Sequence, residues 1–198
     1  MALISASMSG ISVPKESLDM AGKWLTSVSA GDRGGLYGYT DKNVTRGMTA
    51  ESMFCRQILG MRPDDPKMQE SAGYLRLQLP TSGAKDMYYW YYATLALYQH
   101  GGVEWDDWNR SLKTVLPPMQ VEEGDDAGAW LPAGMQQGDA MGKVVSTALA
   151  TLSLEVYYRY LPFSFTKGLA PAQAAVAAAK TNDAAAVPVS KLPRKRIR

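Results

Sequence analysis

One stretch limits what this chain can fold into more than any other. It is the seventeen-residue run Asp86-Met87-Tyr88-Tyr89-Trp90-Tyr91-Tyr92-Ala93-Thr94-Leu95-Ala96-Leu97-Tyr98-Gln99-His100-Gly101-Gly102. It holds no turn former before its two glycines and is apolar or aromatic on every side. A helix that is hydrophobic all round must be covered all round. The run falls short of the roughly 20 residues that span a bilayer, and its tyrosine hydroxyls and Gln99 require polar partners. It reads as the innermost helix of a layered, all-helical body.

The rest of the chain alternates around it. Met1 to Gly10 is small and apolar, stops on glycine and is followed by Pro14. Without an N-cap or a polar lead-in it reads as the end of a helix, and the chain as a piece of a longer one. Leu18, Ala21, Leu25 and Val28 then form one apolar stripe of a helix starting near Ser17. A glycine-rich loop (Gly31 to Tyr39) follows. Met48 to Gly60 is again broadly apolar, and the helix after Pro66 has one stripe, Met68, Ala72, Leu75 and Leu79. After the aromatic run comes the stripe Trp105, Trp108, Leu112 and Val115, stopped by Pro117-Pro118. A long glycine-bearing loop leads to Val144–Tyr160, mostly apolar, ended by Pro162. Helices apolar all round therefore alternate with single-stripe helices. The roughly 40- to 60-residue spacing marks a helical-hairpin repeat with one covered and one half-exposed layer. No strand candidate stands outside the loops.

Composition excludes several classes. Cys55 is the single cysteine, so there is no internal disulfide framework and no cysteine-based zinc cluster. No run of about 18 apolar residues is present, so no membrane span is expected. No basic segment leads into an apolar one at the start, so no signal peptide is read there and no compartment is assigned. From Lys167 onward seven basic residues face one acid, a net +6 within a total of +2, which leaves the preceding residues at −4. A mildly acidic body gives no footprint for nucleic acid. Residues 166–198, rich in alanine and proline and ending in a basic run, lack material for a core and read as a disordered tail.

Several segments together resemble one family. They are Trp24-Leu25 with Gly35-Leu36-Tyr37-Gly38-Tyr39, Asp86 to Ala93, and Trp105-Asp106-Asp107-Trp108-Asn109. Gln120 with Gly128-Ala129-Trp130, and Ser146-Thr147-Ala148-Leu149 running to Leu161-Pro162, complete the set. They are similar to the prenyltransferase/squalene-oxidase repeat proteins of the terpenoid-cyclase and protein-prenyltransferase α/α-toroid superfamily, within a bacterial branch. The resemblance covers about residues 1–163. It implies a barrel of inner helices ringed by outer ones. The expected fold is thus all-α, a partial α/α toroid of about three and a half helical hairpins over residues 1–165. Gln120…Gly128-x-Trp130 resembles that superfamily's QW motif with a longer gap. With Gly35, Tyr37 and Gly38 it is read as a stability device, the glycine for backbone conformation and the tryptophan to cap the hairpin.

For chemistry the residues offer little. The resemblance would supply an Asp-x-Asp-Asp acid, a zinc triad or a Cys-Gly-Glu-Gln thioester, and none of these strings is present. Glu104-Trp105-Asp106-Asp107 opens an outer-layer helix, where acids suit the helix dipole. Asp64-Asp65 and Asp125-Asp126 belong to turns. Cys55 is expected as a small core residue and His100 as a helix-end cation. No metal site or cofactor is expected. Tyr88, Tyr91 and Tyr92 share a helical face and are the candidates to line a lumen, with Glu155 beside them or ion-paired to Arg159. Aromatic faces can stabilise carbocations, but rings at helical spacing usually fill a core. The expected function is a non-catalytic repeat module for binding or scaffolding. The alternative is a terpenoid-cyclase- or prenyltransferase-like enzyme on an isoprenoid, with its acid outside this chain. Expected partners are a second copy or the rest of the toroid, with an isoprenoid or other lipid as a ligand.

Overall fold

The computed structural model describes residues 2–135 and 138–159. The expected tail and the last helix beyond Arg159, with Tyr160 and Pro162, lie outside them. The described residues are mostly helical: α1 (Ala2–Met8), α2 (Lys15–Ser27), α3 (Arg46–Ile58), α4 (Pro66–Arg76), α5 (Met87–His100), α6 (Gly102–Val115), α7 (Gly138–Leu154) and α8 (Val156–Arg159). No described helix is long and apolar enough to cross a membrane.

The aromatic run is α5, and it is buried as its composition requires. Trp90, Tyr89, Ala93, Leu95, Ala96 and Leu97 are each at most 1% exposed. Asp86 stands just outside the helix as its N-cap, its carboxylate accepting from the Tyr89 N–H at 3.0 Å. Arg46 reaches the other oxygen at 3.3 Å while its guanidinium lies 5.0 Å from the Tyr89 ring centre. At the far end Gly101 takes φ +76°, a left-handed conformation glycine tolerates at little cost. That residue alone separates α5 from α6.

Five helices form two layers. α5 lies between α3 and α7, α4 packs on α3, α6 packs on α5, and α4 also touches α6. The Gln57 side-chain amide on α3 donates to the Ala96 carbonyl at 2.9 Å, a polar tie between these helices, while its Oε1 is buried without a hydrogen-bond partner among the described residues. Trp108 on α6 is fully buried and its indole N–H donates to Thr94 Oγ1 at 3.0 Å. The stripe Trp105, Trp108, Leu112 and Val115 faces this core as its spacing requires. Asp107 turns out to be a tie between helices rather than a cap: it accepts from Arg76 on α4 at 2.7 Å and from Arg110 at 3.1 Å. The Arg76 hydrogen bond, with both positive charges adding, holds its carboxyl below the usual carboxylate range.

Three expectations need correction. The glycine-rich loop contains a two-stranded antiparallel ribbon, Ser29–Ala30 (β1) against Leu36–Tyr37 (β2), too short to show a period in the sequence. α1 was expected to be covered all round, yet none of its described side chains is buried. α7 was expected to be buried likewise, but among its described side chains Ser146, Ala150 and Ser153 are buried and Leu149, Leu152 and Leu154 pack half-buried against the core, while Val144 is 79% and Val145 43% exposed. Gly142, at φ +66°, also kinks α7 near its start.

The loop before α3 is held by α4. Glu70 accepts from the backbone N–H groups of Arg33 and Gly35, the latter at 2.7 Å, and Ser71 Oγ donates to the Gly35 carbonyl at 2.5 Å. A Cβ on Gly35 would stand 2.2 Å from the Lys67 carbonyl oxygen, and one on Gly38 2.3 Å from that of Asp41. These glycines are required by close approach of backbone. Gly73, on the exposed side of α4, faces open space instead. Gly35→Ala is therefore expected to destabilise by about 1–3 kcal/mol, as overpacking does, and Gly73→Ala to stabilise by about 0.5–1 kcal/mol. Urea unfolding of both variants checks the pair.

Candidate functional site

Two loops enter the inner layer by the same polar device. The Tyr37 N–H donates to Thr49 Oγ1 on α3 at 3.1 Å, and the Trp130 N–H donates to Thr147 Oγ1 on α7 at 3.1 Å. In each case an aromatic residue is delivered to the core beside a threonine, Thr49 near the start of α3 and Thr147 five residues past the Gly142 kink of α7: Tyr37 is fully buried and Trp130 5% exposed. Trp130 closes the α6–α7 connection. Its indole N–H donates to the Leu116 carbonyl at the end of α6 at 2.8 Å, and Ser146 Oγ donates to the Trp130 carbonyl at 2.5 Å. The Gln120 side-chain amide donates to the Gly128 carbonyl at 2.8 Å, and Gly128 takes φ +87° where the loop turns back on Val121. Gln120, Gly128 and Trp130 thus stand together as one loop closure. Gly35, Tyr37 and Gly38 stand together in the other.

Tyr88, Tyr91 and Tyr92 also meet. Ring centres of Tyr88 and Tyr92 are 4.9 Å apart and those of Tyr91 and Tyr92 5.1 Å, tilted or edge-on. Tyr91 is buried, whereas Tyr88 and Tyr92 are half-buried. The Tyr88 hydroxyl donates to Glu51 Oε2 on α3 at 2.9 Å. Burial pushes this hydroxyl well up, and the Glu51 carboxylate adds to the effect, so it stays a donor. Glu155 is half-buried at the α7–α8 junction, away from this cluster in sequence and element. The side chain of Arg159, its expected ion-pair partner, lies outside the described residues.

None of the three tyrosines lines the apolar cleft that opens between α1, α2 and α3. That cleft, mostly apolar and of about 440 Å³, is lined from all three helices. Leu18, Ala21, Leu25 and Val28, the stripe read from the sequence as packing surface, line it from α2, and Met48, Cys55 and Ile58 from α3. Among the described residues Glu51 is the one charged side chain in the wall, which joins the cleft to Tyr88 through their hydrogen bond. Cys55 is half-buried there, and burial pushes its thiol up, away from reactive thiolate. At the inner end of α2, Arg56 is 8% exposed and donates to Thr26 Oγ1 at 2.8 Å, with Tyr37 beside it. Burial raises the Tyr37 hydroxyl while the Arg56 guanidinium pulls it the other way.

Among the described residues no three His, Cys, Asp or Glu side chains converge as metal ligands. Compared with protein-family models, with curated proteins and with solved structures, the chain matches none.

His100 differs from its expected role. It lies at the end of α5, half-buried, and burial lowers its pKa despite the nearby Glu104 carboxylate. It is held neutral, not as a helix-end cation. Since the unfolded chain protonates at about pH 6.5, the unfolded state binds more protons in the window just below that value. Stability is complete above about pH 6.5 and declines as pH falls from there toward the lower folded value. Urea midpoints at neutral and mildly acid pH are expected to show a smaller acid loss in His100→Gln than in the parent chain.

Proposed function

We propose that the chain is a non-catalytic helical-hairpin repeat module of the α/α-toroid kind that works by association, with a second copy or the rest of a longer assembly. The observation that carries this reading is the bare flank of α7. α5 is packed by α3 and α7, but α7, which gives Ser146, Leu149, Ala150, Leu152 and Ser153 to the core, presents Val144 and Val145 to solvent. Stacked helical repeats bury each unit against the next, and a terminal repeat with a polar outer face normally closes such an array. Adjacent exposed valines are the opposite of such a cap, and contiguous apolar surface of this sort marks an interaction face.

The two loop closures support the repeat part of the reading. Tyr37 with Thr49, and Trp130 with Thr147, perform one structural task at two points of the chain. The resemblance of Gln120…Gly128-x-Trp130 to the QW motif points the same way.

A second reading, a terpenoid-cyclase- or prenyltransferase-like enzyme acting on an isoprenoid, draws on one observation, the apolar cleft with a single carboxylate in its wall. It requires an acid from outside the chain, and it would place Tyr88, Tyr91 and Tyr92 around the substrate, whereas the cleft wall contains none of them.

Sedimentation velocity with native mass spectrometry and organic extraction separates the two. The association reading expects a dimer or larger species of clean mass. Val144→Asp is expected to weaken that association about tenfold, the equivalent of ~1.4 kcal/mol. A monomer carrying a co-purified isoprenoid would overturn it in favour of the enzyme.

A further inference from the structure

The cleft between α1, α2 and α3 is a large feature that association through α7 leaves unexplained. Its volume falls within the range of about 300–1,000 Å³ typical of small-molecule sites. An amphipathic helix normally buries its stripe in a packed core, but α2 has no fully buried residue, and its stripe borders open space. Apolar surface left facing a cavity forfeits both transfer and packing energy. An apolar chain entering the cleft would recover them.

The wall also fixes the charge of what enters. Among the described residues Glu51 is the only charged side chain of the wall, and its carboxylate has a single hydrogen bond there, from the Tyr88 hydroxyl to Oε2. No cation pairs with it among them, and Oε1 has no hydrogen-bond donor there. A half-buried carboxylate in apolar surroundings is stabilised by a positive group brought to it, and a second carboxylate would be repelled. Two aromatic rings, Trp24 and Tyr39, border the same cleft and are 54% and 72% exposed. Aromatic faces of this kind attract ammonium groups, quaternary ones included.

We propose that this cleft is a binding site for a small cationic amphiphile, an aliphatic chain bearing an amine or quaternary ammonium head. The chain lies along Leu18, Leu25, Met48 and Ile58, and Glu51 receives the head. Tyr88 positions that carboxylate from behind by its hydrogen bond. The site does not depend on association through α7, so the Val144→Asp variant is expected to bind in the same way, and the two readings fail separately.

The test is calorimetric titration of the full chain, below micelle concentrations and at 0.15 M salt, which screens non-specific attraction to within about 8 Å. The probes share a twelve-carbon tail: dodecyltrimethylammonium, dodecyl maltoside and dodecanoate. Dodecyltrimethylammonium is expected to bind about tenfold or more tighter than dodecanoate. The residues before Lys167 carry a net −4, so the comparison of parent chain with Glu51→Gln is what separates the local carboxylate from that general attraction. Glu51→Gln keeps an acceptor for Tyr88 and is expected to bring the two probes to within about threefold. Ala21→Trp fills the cleft and is expected to weaken all three about tenfold. Tyr88→Phe, which keeps the charge, should retain the cation preference even if Glu51→Gln folds poorly. Equal or tighter binding of dodecanoate overturns the proposal. So does a cation preference that persists in Glu51→Gln, or binding that ignores Ala21→Trp.

Discussion

Covering α5 is the demand that the other helices answer. A helix carrying Trp90, Tyr89, Tyr91, Leu95 and Leu97 on different sides has no face to give to water, and full burial of each such side chain is worth about 1.5–3 kcal/mol. α3 and α7 supply two flanks and α6 the outer one. The polar groups within this core follow the same rule. Thr94 both donates to Trp90 and accepts from Trp108, and Gln57 caps the Ala96 carbonyl. The satisfaction is incomplete, since Tyr37 Oη, Arg56 Nε, Gln57 Oε1 and His100 Nδ1 are buried without a hydrogen-bond partner among the described residues.

The loops carry much of the specificity that helix packing alone would leave loose. Ridges of small and medium side chains admit several relative positions of two helices. A backbone N–H fastened to a threonine hydroxyl on the helix admits far fewer. Thr49 and Thr147 do this for α3 and α7, while Glu70 and Ser71 clamp the first loop from α4. Buried N–H groups that lose such partners cost about 1–3 kcal/mol each. The inner layer is thereby positioned from both ends of each hairpin.

Much of this was legible in the sequence. Glycine and proline stops placed the ends of α3, α4, α5 and α6 within a few residues, and the all-round apolar character of the aromatic run foretold the burial of α5. The stripe of α6 was read residue for residue. What periodicity could not give is what lies opposite an apolar face. Leu18, Ala21, Leu25 and Val28 were correctly seen as one stripe, yet they border a cleft. Val144 and Val145 were counted as core and stand exposed, because a helix records its own apolarity and not the presence of a neighbour. The Glu70 clamp spans 37 residues in sequence and carries no local signature. His100 looked like a terminal cation because burial of an imidazole depends on packing from other elements.

The distribution of indoles has an optical consequence. Trp90, Trp108 and Trp130 are enclosed and Trp105 is half-buried, whereas Trp24, at the cleft, is 54% exposed. The red edge of the emission spectrum therefore belongs mainly to one ring, beside the apolar cleft between α1, α2 and α3, and the blue part to the packed body around α5. A single fluorescence spectrum separates events at the cleft from events in the core, with no label attached.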